Sequence, residues 1–244
     1  MKFLVALSSL GLILGASART FTVYNGCPFT IWPAIYTGVG AGPSYPTGWA
    51  AGAFTSVTFD APDNWTAGRI WARRNCDANY NCLDGGCVGG LQCTNPGVPP
   101  ATLAEFTLTG SGGQDYFDVS LVDGYNLPMS ITNNVGCSVP GCYVDLGPNC
   151  PAPLKGPFDS TGFPVGCKSA CLVDPNPSNS PNCCTGQYST PATCPSSGVE
   201  YYSYFKGNCP NTYSYAYDES SGDAIFSCPS ASNPTYTITF CPPA

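Results

Sequence analysis

Apolar and polar residues alternate with a period of two through most regular stretches of this chain, the pattern of strands with one face buried. Residues 19–25 (RTFTVYN) set Phe21 and Val23 against Thr20, Thr22 and Tyr24, and Asn25-Gly26 ends the run. Residues 29–35 (FTIWPAI) read as a second strand, in which Pro33, lacking an N–H, marks an edge or a bulge. Residues 54–59 (FTSVTF) alternate again. In residues 68–73 (GRIWAR), Ile70 and Ala72 form a small apolar face, and Arg69, Trp71 and Arg73 form the opposite one. Residues 102–109 (TLAEFTLT) and 115–122 (DYFDVSLV) flank a Gly-rich turn and predict an antiparallel hairpin. A short extended piece follows at 126–129. The last strands are expected at 224–227 and, with strict alternation, at 235–240 (TYTITF).

Between about residue 137 and residue 222 the texture changes. Periodicity is poor, and Cys, Pro, Asn and Ser crowd together. Such a segment is held by disulfides rather than by an apolar core. One short helix is expected over 168–173 and a helical turn over 201–206, while 180–192 reads as loop. The fold class is therefore all-β: a flattened β-sandwich or barrel core, about 19–136 and 223–244, with a disulfide-rich subdomain of loops and short helices between. The 25 Pro and 28 Gly supply the many turns that such a fold needs.

The first 18 residues stand apart. Lys2, the apolar run 3–14 and Ala16-Ser17-Ala18 predict a signal peptide cleaved after Ala18. That run is too short to span a bilayer, and no later stretch is apolar enough to do so. A secreted, extracellular chain, with the cell wall as one destination, fits the 16 cysteines, an even number that allows eight bridges. Export also gives meaning to Asn64-Trp65-Thr66, the one N-x-[ST] sequon without an intervening Pro; Asn64 is a glycan candidate on a turn.

The chain has no His, which removes Ser-His-Asp, Cys-His and His general-base chemistry. Without His or paired C-x₂-C knuckles, no metal site is expected, and nothing calls for a cofactor. Removing the leader leaves seven basic against 15 acidic residues, a net charge of −8. That charge argues against nucleic acid and anionic membranes as partners.

Only 9% of the chain is charged, so a local concentration of acids is informative. Residues 102–129 carry Glu105, Asp115, Asp118 and Asp123. Crowded carboxyls raise one another's pKa, and an Arg lowers the pKa of the one it touches. Alternation puts Glu105 on one face with Leu103 and Thr107. Asp118 and Asp123 are five apart, so a straight strand sends them to opposite faces. They converge only if the strand ends between them, and Asp123-Gly124 is a turn dipeptide. Asp115, Asp145 and Asp174 read as turn residues, and Arg73 and Arg74 as surface cover.

The motifs FTVYNGCPFTIWPA (21–34), GRIWARRNC (68–76), PPATLAEFTL (99–108), DYFDVSLVDGYNLPM (115–129), the Cys183-Cys184 pair, KGNCPNTYSYAYD (206–218) and TYTITFCP (235–242) follow one another in a familiar order. With them the chain resembles the thaumatin-like proteins, the plant pathogenesis-related family 5 and its fungal relatives, over 21–242. The resemblance implies the pairs Cys27–Cys241, Cys76–Cys82, Cys87–Cys93, Cys137–Cys228, Cys142–Cys209, Cys150–Cys167, Cys171–Cys183 and Cys184–Cys194. One segment departs from the family pattern: Cys82-Leu-Asp-Gly-Gly-Cys87 stands where relatives have a Thr-Gly-Asp, so Asp84 is displaced.

The resemblance also implies a cleft with an Arg, a Glu and three Asp, here Arg69, Glu105, Asp118, Asp123 and Asp218. Glycoside hydrolysis needs only two carboxyls, one protonated and one ionised, and neither metal nor His. On that chemistry Glu105 is expected as proton donor and Asp118, with Asp123 as substitute, as base or nucleophile. Phe117, Tyr125, Tyr213 and Tyr217 are candidates to stack on sugar rings. The implied function is a secreted monomer that binds, and hydrolyses, β-1,3-glucan or another cell-wall polysaccharide. The alternatives are a non-catalytic glucan-binding or antifungal defence protein, and an inhibitor of a hydrolase.

Overall fold

A computed structural model describes residues 18–243 of the chain. The predicted signal peptide lies outside the described residues except for Ala18, which opens the first strand. The described strands are β1 (Ala18–Asn25), β2 (Trp32–Val39), β3 (Ser56–Pro62), β4 (Thr66–Cys76), β5 (Cys82–Asp84), β6 (Leu103–Thr107), β7 (Gln114–Ser120), β8 (Met129–Asn133), β9 (Gly141–Cys142), β10 (Phe226–Pro229) and β11 (Tyr236–Phe240). They form two sheets, in the orders β3-β1-β11-β8-β9 and β10-β7-β6-β4-β2, with β5 paired to the end of β4. β1 and β11 run parallel, and the other named pairs are antiparallel. Pro33 is tolerated because β2 is an edge strand.

Alternation builds the sandwich. Phe21 and Val23 of β1, Met129 and Ile131 of β8, and Tyr236, Ile238 and Phe240 of β11 face Ile70 and Ala72 of β4, Ala104 and Phe106 of β6, and Phe117 and Val119 of β7. All are buried. Phe106 lies at the centre, its ring 4.9 Å from Phe21, 5.4 Å from Tyr236 and 5.9 Å from Trp65. Phe117 therefore stacks in the core, not on a ligand: one residue away from Asp118 on a strand, it points the opposite way.

Three polar residues depart from their sequence reading. Asp115 is no turn residue but a fully buried strand residue, whose carboxylate accepts from Arg19 Nε (3.1 Å), Tyr236 Oη (3.0 Å), Ser230 Oγ (2.6 Å) and the Thr109 N–H (2.9 Å). Arg73 covers no surface. It is fully buried and donates to the carbonyls of Trp32, Gly90 and Leu91 at 2.8–3.0 Å, and burial lowers its pKa to about 10. Arg74 reaches inward to the carbonyls of Asn126 and Val165. Beside Arg73, Trp71 donates Nε1–H to the Gly85 carbonyl at 2.8 Å. The Cys-rich loop between β5 and β6 thus covers two of the three residues expected on the polar face of β4, and Arg69 alone stays accessible.

All eight implied disulfides are present. Residues 143–225 add no strand to either sheet. They pack Leu146, Leu154 and Phe205 with Leu121 and Tyr125 around the Cys142–Cys209 and Cys150–Cys167 bridges. The helical turn expected at 201–206 is α1 (Tyr202–Asn208). The helix expected at 168–173 shortens to a 3₁₀ turn at Cys171–Val173. Cys167 before it is held in extended pairing with Tyr125, and Asp174 after it is extended because Pro175 follows. The expected loop 180–192 contains one 3₁₀ turn, Gly186–Tyr188. No helix of the described residues is long and apolar enough to cross a membrane.

Candidate functional site

The face of the second sheet turned away from the sandwich core is a ladder of side-chain rungs. Strand register places Arg69, Glu105 and Asp118 directly opposite one another across β4, β6 and β7. One step along, Thr107 of β6 faces Tyr116 of β7; one step the other way, Leu103 faces Ser120. Same-face rungs lie ~6.8 Å apart, and opposed Cβ atoms ~5 Å. The two carboxyls of the central rung are therefore immediate neighbours because of the hairpin register.

Asp123 joins them because β7 stops at Ser120. The chain then leaves β6 and bonds across to the other segment, with the Tyr213 N–H donating to the Val119 carbonyl and the Leu121 N–H to the Tyr213 carbonyl. A turn closed by the Gly124 N–H and the Leu121 carbonyl brings Asp123 round. Gly124 has φ +81°, and a Cβ there would lie 2.8 Å from the Cys167 carbonyl oxygen, so the turn requires glycine.

Two hollows flank the carboxyl rung. One, of about 270 Å³, is lined by Arg69, Leu103, Glu105, Asp118, Ser120, Asp123, Tyr213 and their neighbours. The other, of about 210 Å³, shares Arg69, Glu105 and Asp118 and adds Gly68, Thr107, Tyr116 and Ile225. The carboxyl pair sits on the saddle between them.

The two carboxyls are electrostatically unlike. Arg69 Nε lies 2.9 Å from Glu105 Oε1, and its Nη1 lies 3.8 Å from Asp123 Oδ2. Burial raises the pKa of Glu105, while Arg69 and the Ser120 hydroxyl pull it back. Asp118 is only 9% exposed, and its Oδ1 is buried without a hydrogen-bond partner. Burial first, then the Glu105 charge, push its pKa well above the usual carboxylate range. Asp123 is raised by burial and lowered by Arg69. Of the central pair, Asp118 is the group whose pKa this environment raises more. The expected roles, Glu105 as donor and Asp118 as base, run against that, because the guanidinium is paired to Glu105. Among the described residues no cluster of Cys, Asp and Glu is arranged to hold a metal ion.

The thaumatin family model matches residues 25–242. The chain belongs to the thaumatin family. It is 43% identical to thaumatin-like protein 1 of Pyrus pyrifolia, with 93% of each chain covered. It is 40% identical to a Prunus avium protein named glucan endo-1,3-beta-glucosidase, with 99% of this chain and all of the relative covered. Among solved structures it resembles the GH family 64 laminaripentaose-producing beta-1,3-glucanase of Paenibacillus barengoltzii, at a TM-score of 0.57 and 13% identity over 93% of this chain and 75% of that one. At that identity the likeness is one of fold.

Within this family member, the structure gathers Arg69, Glu105, Asp118, Asp123 and Tyr213 into one cleft and leaves four other candidates out of it. Asp218 lies behind the wall, 1% exposed. It accepts from Tyr202 Oη (2.7 Å), Lys206 Nζ (3.0 Å) and the Ser214 N–H (2.8 Å), and so braces the chain beside Tyr213. Tyr125 is buried in the second core and bonds Asp145. Tyr217 packs near the Cys184–Cys194 bridge and donates to the Ser189 carbonyl. Phe117 is in the sandwich core. Asn64 is exposed in the turn between β3 and β4, outside both hollows. Tyr116, Ser120 and Ile225 line the cleft but were not singled out from sequence. For Tyr116 and Ser120 the signal existed: they stand two residues either side of Asp118 on one strand face.

Proposed function

We propose that this protein binds β-1,3-glucan of cell walls in the acidic cleft and hydrolyses it, Asp118 supplying the proton and Glu105 serving as its ionised partner. The carrying observation is the central rung, where adjacent carboxyls differ in environment: Glu105 is paired to Arg69, and Asp118 has a buried oxygen without a partner. Pairs of carboxyls driven apart in pKa are what glycoside cleavage uses. Asp118 passes its proton to the glycosidic oxygen, which leaves as a hydroxyl. Water adds to the sugar carbon, and the Glu105 side of the cleft takes up the balancing proton. Asp123 is the substitute for Glu105, sharing Arg69. The name of the Prunus avium relative supports the choice of polymer.

The test is release of reducing ends from a linear β-1,3-glucan. Asp118→Asn and Glu105→Gln should each lower the rate by at least about a hundredfold. Wild-type activity should fall on the alkaline side as Asp118 loses its proton and on the acid side as Glu105 gains one. Full activity in both variants would remove the assignment. A wild-type protein that sediments with insoluble glucan but releases nothing would leave a binding protein in which Arg69 and the acids form only an ion-pair network.

A further inference from the structure

The carboxyl rung has a hollow on each side, and Tyr213, Ser120 and Asp123 furnish only one of them. We propose that the other, bounded by Thr107, Tyr116 and Ile225, is a second sugar subsite. It holds the part of the same glucan chain that continues past the bond between Glu105 and Asp118. This inference rests on the glucan reading of the cleft, but it concerns binding and is tested without turnover.

Four observations carry it. The two hollows are similar in volume, about 270 and 210 Å³, and share Arg69, Glu105 and Asp118 as a common wall. A chain seated in one and crossing Asp118 enters the other. Second, Asp118 lines both hollows, and its buried Oδ1 has no hydrogen-bond partner in the protein, so no internal bond to that oxygen is lost when a sugar settles over the side chain.

Third, the lining suits a neutral pyranose. Such a ring has apolar C–H faces and a rim of hydroxyls. Tyr116 and the 44% exposed Ile225 offer apolar surface, and Thr107 and Arg69 offer hydrogen-bonding groups. The Glu105 carboxylate disfavours an anionic polymer at the same place. Fourth, Tyr116 is fixed in advance. Its hydroxyl donates to the Ser111 carbonyl at 3.0 Å, and a Cβ on Gly110 would come within 3.0 Å of its ring, so the hairpin turn packs directly against it. A side chain held before binding loses little entropy on binding.

The experiment is calorimetric titration of laminaritriose and laminarihexaose into Glu105→Gln protein, in which the proposed mechanism makes turnover at least about a hundredfold slower. It is repeated with Tyr116→Ala, Tyr116→Phe or Ile225→Ser added. The hexaose should bind more tightly than the triose. Tyr116→Ala and Ile225→Ser should each weaken the hexaose roughly three- to tenfold and collapse its advantage over the triose. Tyr116→Phe keeps the ring and loses only the bond to Ser111, so it should fall closer to the parent than Tyr116→Ala does. Ile225 is exposed, so its variant reports even if Tyr116→Ala fails to fold. Hexaose affinity unchanged by Ile225→Ser and by every folded Tyr116 variant overturns the subsite. A parent that binds neither sugar overturns both the subsite and the glucan reading. Chain-length-dependent binding without hydrolysis by the wild type removes catalysis and leaves the subsite standing.

Discussion

Two buried carboxyls, Asp118 and Asp84, each keep one oxygen without a hydrogen-bond partner. Asp118 faces the cleft. Asp84 ends β5 opposite Arg74, 1% exposed, and its Oδ1 accepts the Arg74 N–H at 3.0 Å. Burial pushes its pKa up to about 6, against the pull of Asn126 and Arg74. The folded protein thus holds this proton more tightly than the unfolded chain does, and stability falls as pH climbs from about 4 to about 6, by up to ~3 kcal/mol from this group. The raised carboxyls of the cleft add to the same slope. Melting temperatures across that window should decline in the wild type and decline less in Asp84→Asn; an unchanged slope would show that Asp84 is not the titrating group. At this scale the sequence was legible where period two decides. It put Thr107 beside Glu105, and applied to β7 the same rule places Tyr116 beside Asp118. It misplaced Asp115 as a turn residue and Arg73 as surface cover, because their burial depends on partners distant in the chain: Tyr236 lies 121 residues from Asp115.

Among elements, the hairpin of β6 and β7 was readable because its alternation and its Gly-rich turn agree. Its ending after Ser120 was readable only as a condition, since the tertiary contact with Tyr213 helps terminate the strand. Disulfides act at this scale. Cys27 follows β1 and Cys241 follows β11, so one bridge pins the parallel pair and closes a separation of 214 residues, whereas Cys76–Cys82 closes only six. Chain entropy assigns about 5 kcal/mol to the first and about 2 kcal/mol to the second. Replacing both cysteines of a bridge by Ala should therefore lower the denaturant midpoint more for Cys27 and Cys241 than for Cys76 and Cys82. Equal losses would place the stabilisation in local strand contacts instead.

At the scale of the whole molecule, a net charge of −7, or −8 without the leader, and an acidic cleft leave little long-range attraction for any polyanion. A neutral polymer bound through hydroxyls and ring faces releases no counterions. Retention on insoluble β-1,3-glucan should hardly change between about 50 and about 500 mM salt, conditions that screen exposed charges progressively. Steep loss with salt would point to a charged wall component as the ligand. The all-β architecture was legible from alternation. The bridge between Ser120 and Tyr213, which seats Tyr213 in the cleft, was not, because no periodicity marks it.

The position of β11 has a consequence for how the molecule is made. This strand, at residues 236–240, sits between β1 and β8 inside the first sheet. Until it arrives, both neighbours present an unfilled edge, and the sandwich lacks the side chains of Tyr236, Ile238 and Phe240. Folding therefore cannot proceed to completion from the N-terminus as the chain emerges. The nascent protein must wait, open to chaperones and to thiol exchange, for the delivery of its final strand. The Cys27–Cys241 bond cannot close before that moment. It acts as a seal, set only on chains in which β1 and β11 have met.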